Sequence, residues 1–188
     1  MAAVTGIGVA GDCLAGLVAL TITASASASA SACPADTQTR APATLLTLQL
    51  PGSPARAFSA ADLQAQPPTS LTQRLMVAAG GGNSTERSLV YSGVLLRDLL
   101  ALTGYGGPAD RSARTSVIEA TATDGYRAVF SWGEIFNTES GERILIITSQ
   151  DGKALDAAAG PLALRALGDL RPGPRHVRNL CALIVRNP

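Results

Sequence analysis

The chain has 188 residues, of which 46% are hydrophobic and only 4% aromatic, and its formal net charge is +1. That size suits one globular domain with an extension rather than two domains. So small a charge excludes a global electrostatic attraction to nucleic acid or to an anionic membrane, and a single histidine excludes a multi-histidine metal site.

Residues 1–32 carry no charge except Asp12, run apolar from Leu14 to Leu20 and end in an alternating Ala/Ser tract. The apolar core has the length of a signal h-region, and Ala-Ser-Ala is a small-x-small cleavage pattern, so a signal peptide and a periplasmic or otherwise exported protein are expected. No Lys or Arg precedes that core, the first basic residue being Arg40. A misplaced start codon or a disordered, non-exported leader would each account for this. Cys33 directly follows Ala32, which invites a lipoprotein reading, but Ala30 stands where a large aliphatic residue belongs, and an ordinary cleavage site is preferred. Three cysteines, Cys13, Cys33 and Cys181, match neither a zinc spacing nor a disulfide framework, so no metal site is expected. A Cys33–Cys181 disulfide suits an oxidising compartment; the preferred alternative is a Cys181 simply buried in a final strand with Leu183 and Val185. Residues 33–43 read as a linker, and residues 44–188 as the domain, with no transmembrane span in it.

Leu46, Leu48 and Leu50 alternate with polar residues, a first strand stopped by Pro51-Gly52. Ser59 with Asp62 is a capping signature opening a short helix through Leu63, ended by Pro67-Pro68. Ser70 to Val77 reads as a strand, and Ala79 to Ser84 as a flexible glycine-rich loop. Neither a Lys-Ser/Thr pair nor a GxGxxG spacing accompanies those glycines, which argues against a phosphate cradle. From Val94 to Thr103, Leu95, Leu96, Leu99 and Leu100 recur at helical spacing, with Gly104 as terminator.

The stretch from Thr115 to Thr148 organises the rest. A β-branched run reaches Thr123, turns at Asp124-Gly125 and resumes from Tyr126 to Phe130, a hairpin signal. A two-residue turn would pair Thr123 with Tyr126, placing Ile118, Ala120 and Val129 on one face and Val117, Tyr126, Phe130 and Trp132 on the other. Either both faces are then buried or a bulge shifts one strand by a residue. Ser131 with Glu134 reads as a capping box, and Ile144 to Ile147 as a central strand covered on both faces. Beyond it, Gly160-Pro161-Leu162 punctuates, and a loop gathers Arg165, Arg171, Arg175, His176 and Arg178 against Asp169 alone.

Tyr91-Ser92-Gly93 with the leucine run behind it, Asp124-Gly125-Tyr126 with Phe130-Ser131 and Glu134, Gly160-Pro161-Leu162, and Arg175-His176-Val177-Arg178 occur in one order. Together they resemble the signatures of the sulfite-oxidase-type molybdopterin-binding domain, over roughly Thr44 to Pro188, and more its small exported single-domain members than the large enzymes. The resemblance implies an α+β fold with a mixed β-sheet and short helices. It also implies molybdopterin as a cofactor, whose molybdenum the large members hold through one protein cysteine, a soft thiolate. In them that cysteine falls between the early strand and the YSG-type motif; here residues 70–92 contain none.

A protein of this type lacking that cysteine is expected to be a ligand-binding or accessory domain. The alternatives are a molybdenum-dependent oxidoreductase with an unconventional ligand and an envelope interaction module with no small ligand. Arg175, His176 and Arg178 are the candidates for holding a pterin phosphate or another small anion, or else form a solvated start to a strand. Asp124, Gly125, Tyr126, Gly160 and Pro161 complete the motif positions. Asp124 reads as a turn former, Tyr126 as packing or a pocket wall, and Glu134 as the capping glutamate. No catalytic residue is assigned.

Overall fold

A computed structural model describes Cys33 and residues 44–79, 82–106, 111–171 and 173–187. The predicted leader and most of the predicted linker lie outside the described residues.

Among the described residues the architecture is α+β, mostly strands with three short α-helices. Strands β1 (Thr44–Gln49) and β2 (Arg56–Ser59) precede helix α1 (Ala60–Gln64), and the long strands β3 (Thr69–Ala79) and β4 (Asn83–Leu95) lead into α2 (Leu96–Ala101). Strands β5 (Val117–Ala122) and β6 (Arg127–Ser131) are followed by α3 (Trp132–Phe136). The chain closes with β7 (Ile144–Gln150), β8 (Lys153–Ala154), β9 (Ala163–Ala166), β10 (His176–Val177) and β11 (Leu180–Arg186). One sheet has the order β2-β1-β11-β5-β6 and the other β10-β9-β7-β4-β3, with β8 paired to β7. The β1–β11 pair is parallel and the rest are antiparallel, so the expected mixed sheet is present.

The leucines of the first strand do what their alternation requires, Leu46 and Leu48 being fully buried. Helix α1 has its capping box, Ser59 Oγ accepting from Asp62 N while Asp62 accepts from Ser59 N, and the Ser59 contacts hold the Asp62 carboxyl below its ordinary range. Side chains from both sheets and from α1, α2 and α3 form one continuous core, with Leu99, Ile118, Phe130, Ile146, Leu164 and Leu183 among its members. Strand β7 is covered on both faces as expected. Ile144 and Ile146 enter that core, and Leu145 and Ile147 enter a second cluster with Leu89, Tyr91 and Leu167.

Two expectations need correction. Ala79, Asn83 and Ser84 at the ends of the glycine-rich stretch belong to strands, Thr69 to Ala79 pairing with Gly93 back to Asn83, and Val94 and Leu95 end the second of these, so the helix begins only at Leu96. The leucine spacing was helical, but strand pairing claims the first two residues. The YSG glycine has a packing reason. At the bulge between Ser92 and Gly93, a Cβ on Gly93 would overlap the Ile146 carbonyl oxygen.

The disulfide alternative is the one realised. Cys33 and Cys181 are joined, with Cα atoms 5.8 Å apart, and Cys181 is buried as well. The bond closes a loop of 148 residues in sequence separation. By chain-entropy reasoning a loop of that length is worth about 5 kcal/mol before any native-state strain is subtracted.

Candidate functional site

The site begins with the turn of the β5–β6 hairpin. Thr121 pairs with Arg127, Ala120 with Ala128 and Ile118 with Phe130, one residue away from the register a two-residue turn imposes. The loop instead has three residues, Thr123, Asp124 and Gly125, with Gly125 N donating to Ala122 O and Gly125 at φ 85°. This is a type I turn followed by a left-handed residue, a conformation glycine adopts at no steric cost. The shift puts Ile118, Ala120, Ala128 and Phe130 together on the core face and leaves Val129 53% exposed. Of the two alternatives left open by the sequence, the one-residue shift is thus correct.

Asp124 is the turn former it was expected to be, its Oδ1 accepting from Tyr126 N at 2.9 Å. Tyr126 is not core. The residue is 43% exposed and its hydroxyl donates to Pro174 O at 2.6 Å, tying the hairpin tip to the basic loop. Asp124, Tyr126, Gly173, His176 and Arg178 line an open cleft of about 280 Å³. Four of the residues singled out from sequence therefore converge there, with Gly125 between two of them.

Arg175 does not join them. Its Nε donates to Asp169 Oδ2 at 2.9 Å, its Nη2 to Asp169 Oδ1 and its Nη1 to Glu134 Oε1, while its guanidinium carbon lies 5.1 Å from the centroid of the Phe130 ring. Both edges of the fork are committed to carboxylates. Hydrogen bonding to Asp169 first, and to Glu134 after it, holds the guanidinium even more firmly protonated than usual. The expectation that Arg175 binds an anion, or is merely solvated, is overturned: it ties α3 to the loop before β10. Glu134 is corrected by the same contact. Ser131 Oγ still accepts from Glu134 N at 3.1 Å, but the glutamate side chain reaches Arg175 instead of closing a capping box.

His176 is half-buried, and burial lowers its pKa from an ordinary 6.5 to about 4, with the charges of Arg165 and Arg178 acting in the same direction. At neutral pH it is an uncharged imidazole. Arg165, its direct cross-strand partner, is buried and donates from Nη1 to the Tyr91 hydroxyl at 2.7 Å, its guanidinium carbon 5.4 Å from that ring. Arg178 is exposed and has no ion pair among the described residues. Gly160, at φ 75°, packs so closely on Asn179 that any Cβ would overlap its side-chain oxygen, and Pro161 is exposed beside it. These two hold the strand connection and do not line the cleft.

The cleft thus offers one cation, one neutral imidazole and one carboxylate. Such a set has the chemistry to receive a small anion at Arg178, above all one that also presents a hydrogen-bond donor to Asp124. Sequence reasoning placed Asp169 in this loop but missed Glu134, read only as a cap, as the second carboxylate that reaches Arg175. A larger cleft of about 460 Å³, lined by Gly106, Arg114, Trp132, Phe136 and Asn137, contains none of the candidate site residues read from sequence.

The implied molybdenum cofactor fits this donor set poorly. A disulfide sulfur is not a thiolate, so neither Cys33 nor Cys181 can serve as the soft ligand. Of the three residues expected to hold the pterin phosphate, Arg175 is engaged by carboxylates and His176 is uncharged, which leaves Arg178.

Neither a protein-family model nor a curated protein sequence matches this chain. Among solved structures it is similar to the sulfane dehydrogenase SoxCD from Paracoccus pantotrophus, with a TM-score of 0.56 and 18% sequence identity. The match covers 76% of this chain and 38% of that one, so the chain spans well under half of its structural neighbour. At that identity the likeness is one of fold.

Proposed function

We propose that this chain is a ligand-binding or accessory domain built on the sulfite-oxidase-type molybdopterin-binding fold, distantly related to that family, and that it takes a small anion in the Arg178 cleft. The ordered motifs and the fold shared with a sulfane dehydrogenase support the relationship. The observation that carries the functional reading is the convergence of Asp124, Tyr126, His176 and Arg178 on one cleft while the neighbouring Arg175 is neutralised. Arg178 supplies the charge, His176 supplies a ring nitrogen without a competing charge of its own, and the Tyr126 contact with Pro174 holds the two sides of the cleft together. No step through a metal is assigned to these residues.

Export accompanies this reading. The disulfide is the chemistry of an oxidising compartment, and a Cys33 sulfur bonded to Cys181 cannot also carry the thioether of a lipoprotein anchor. We therefore propose a periplasmic or otherwise exported domain.

The test is molybdenum and pterin content of protein purified under mild conditions from a host that loads a control molybdoenzyme, paired with calorimetric titration of phosphate, sulfate and molybdate. The expected result is substoichiometric molybdenum together with saturable anion binding that Arg178→Gln abolishes. Stoichiometric molybdenum would overturn the proposal in favour of an oxidoreductase with an unconventional ligand. Absence of any anion or pterin binding would leave an interaction module.

A further inference from the structure

Strand β3 ends the six-stranded sheet, and among the described residues no strand pairs with its outer edge. It runs for 11 residues in a ladder with β4 that has no bulge. Strand β4 meets β7 only from Tyr91 to Leu95, so the two strands continue beyond the reach of β7 as a two-stranded ribbon, packed on the second core cluster at Leu75 and Leu89 and free of it from Met76 to Ala79 and Asn83 to Glu86. Ribbons of two strands are marginal in water. This one also exposes Met76 by 68% and Val77 by 44%.

The other free edges are handled differently. Strand β2 has four residues and carries Arg56, β6 has five and carries Arg127, and β10 has two. Short length and charge are the usual protections against unwanted pairing. Strand β3 has neither length limit, proline, bulge nor lysine. Its one charge, Arg74, lies 3.5 Å from Glu86 of the same ribbon. An unpaired row of backbone amides and carbonyls accepts one kind of occupant, another extended strand.

We infer that β3 is a self-association edge, through which two copies of this chain pair antiparallel about a two-fold axis at Leu75 and join their six-stranded sheets into one. Side-chain parity and charge narrow the choice of register, and cover of the exposed Met76 favours Leu75. A two-fold axis perpendicular to the sheet keeps each face continuous, so residues of like parity must stand opposite. An axis at Arg74 would oppose two guanidinium groups. An axis at Gln73 would set Ala79 against Pro67, which cannot donate to a ladder. The axis at Leu75 sets Leu75 against its own counterpart, Gln73 against Val77 and Arg74 against Met76. The arginine stem then covers the exposed thioether.

Sedimentation equilibrium at tens of micromolar should find a dimer, and Met76→Lys with Val77→Lys should yield a monomer with an unchanged circular dichroism spectrum. In the otherwise intact chain, Leu75→Cys should form an intermolecular disulfide on mild oxidation, and Val77→Cys, offset from its counterpart by four residues in this register, should not. A monomer at those concentrations overturns the inference. So does a dimer indifferent to the lysine pair, or one that cross-links through Val77→Cys but not through Leu75→Cys.

Discussion

Arg175 and Arg178 stand three residues apart in one basic run, yet the fold gives them opposite employment. Arg175 meets two carboxylates from different parts of the chain, Glu134 on α3 and Asp169 in its own loop, and lies against the ring of the fully buried Phe130. Arg178, on the far side of the short strand β10, meets none among the described residues. What separates them is the supply of acid. A guanidinium whose fork is filled by carboxylates joins elements together, whereas one left open to a cleft can receive an anion from solution.

The contrast can be broken most forcefully from the Arg175 side. Arg175→Ala leaves Asp169 and Glu134 facing each other, half-buried and uncompensated, and should destabilise the fold by about 2–3 kcal/mol. Urea denaturation should show the midpoint falling with little change in slope, and anion binding should survive in the fraction that remains folded. A stability equal to the parent would mean the two ion pairs are ornamental.

A smaller effect should come from His176. Its pKa is depressed in the folded state, so between about 6.5 and 4 the unfolded chain binds more protons than the native one. The stabilisation is complete above pH 6.5 and is lost as pH falls through that window. Protonation would also place a cation beside Arg178 and so strengthen anion binding at the same time as it weakens the fold. His176→Gln should flatten this limb of the stability profile; an unchanged limb would place the titration elsewhere.

The smallest stability effect belongs to Arg178→Gln, within about 0.5 kcal/mol, because an exposed, unpaired side chain loses little on removal. Its loss of anion binding should nonetheless be complete. Were Arg178→Gln to cost as much stability as Arg175→Ala, the two arginines would not differ in kind.

Much of this fold could be read along the chain. The strand at Leu46 to Leu50, the capped helix at Ser59, the apolar central strand at Ile144 and the final strand around Leu183 all announce themselves through the period of their apolar residues, which is a local property. The residues of the cleft were legible too, since Asp124-Gly125 must turn and the basic loop must be exposed. The strand at Ser70 to Val77 was legible, but its partner from Asn83 to Leu95 was not, because the first six residues of that partner are all exposed and show no alternation between buried and exposed positions.

Three matters waited for the tertiary structure, all for one physical reason: they depend on partners far away in sequence. The register of the β5–β6 hairpin is set by the core that Phe130 and Ile118 share, which outweighs the two-residue turn that Asp-Gly favours. Whether Cys181 is free or bonded depends on where Cys33 is held, 148 residues away. Which arginine is structural depends on α3 bringing Glu134 to Arg175 across a separation of 41 residues. Composition and periodicity determined the elements and marked the loop. Only packing decided which charges in that loop were already answered and which one was left open.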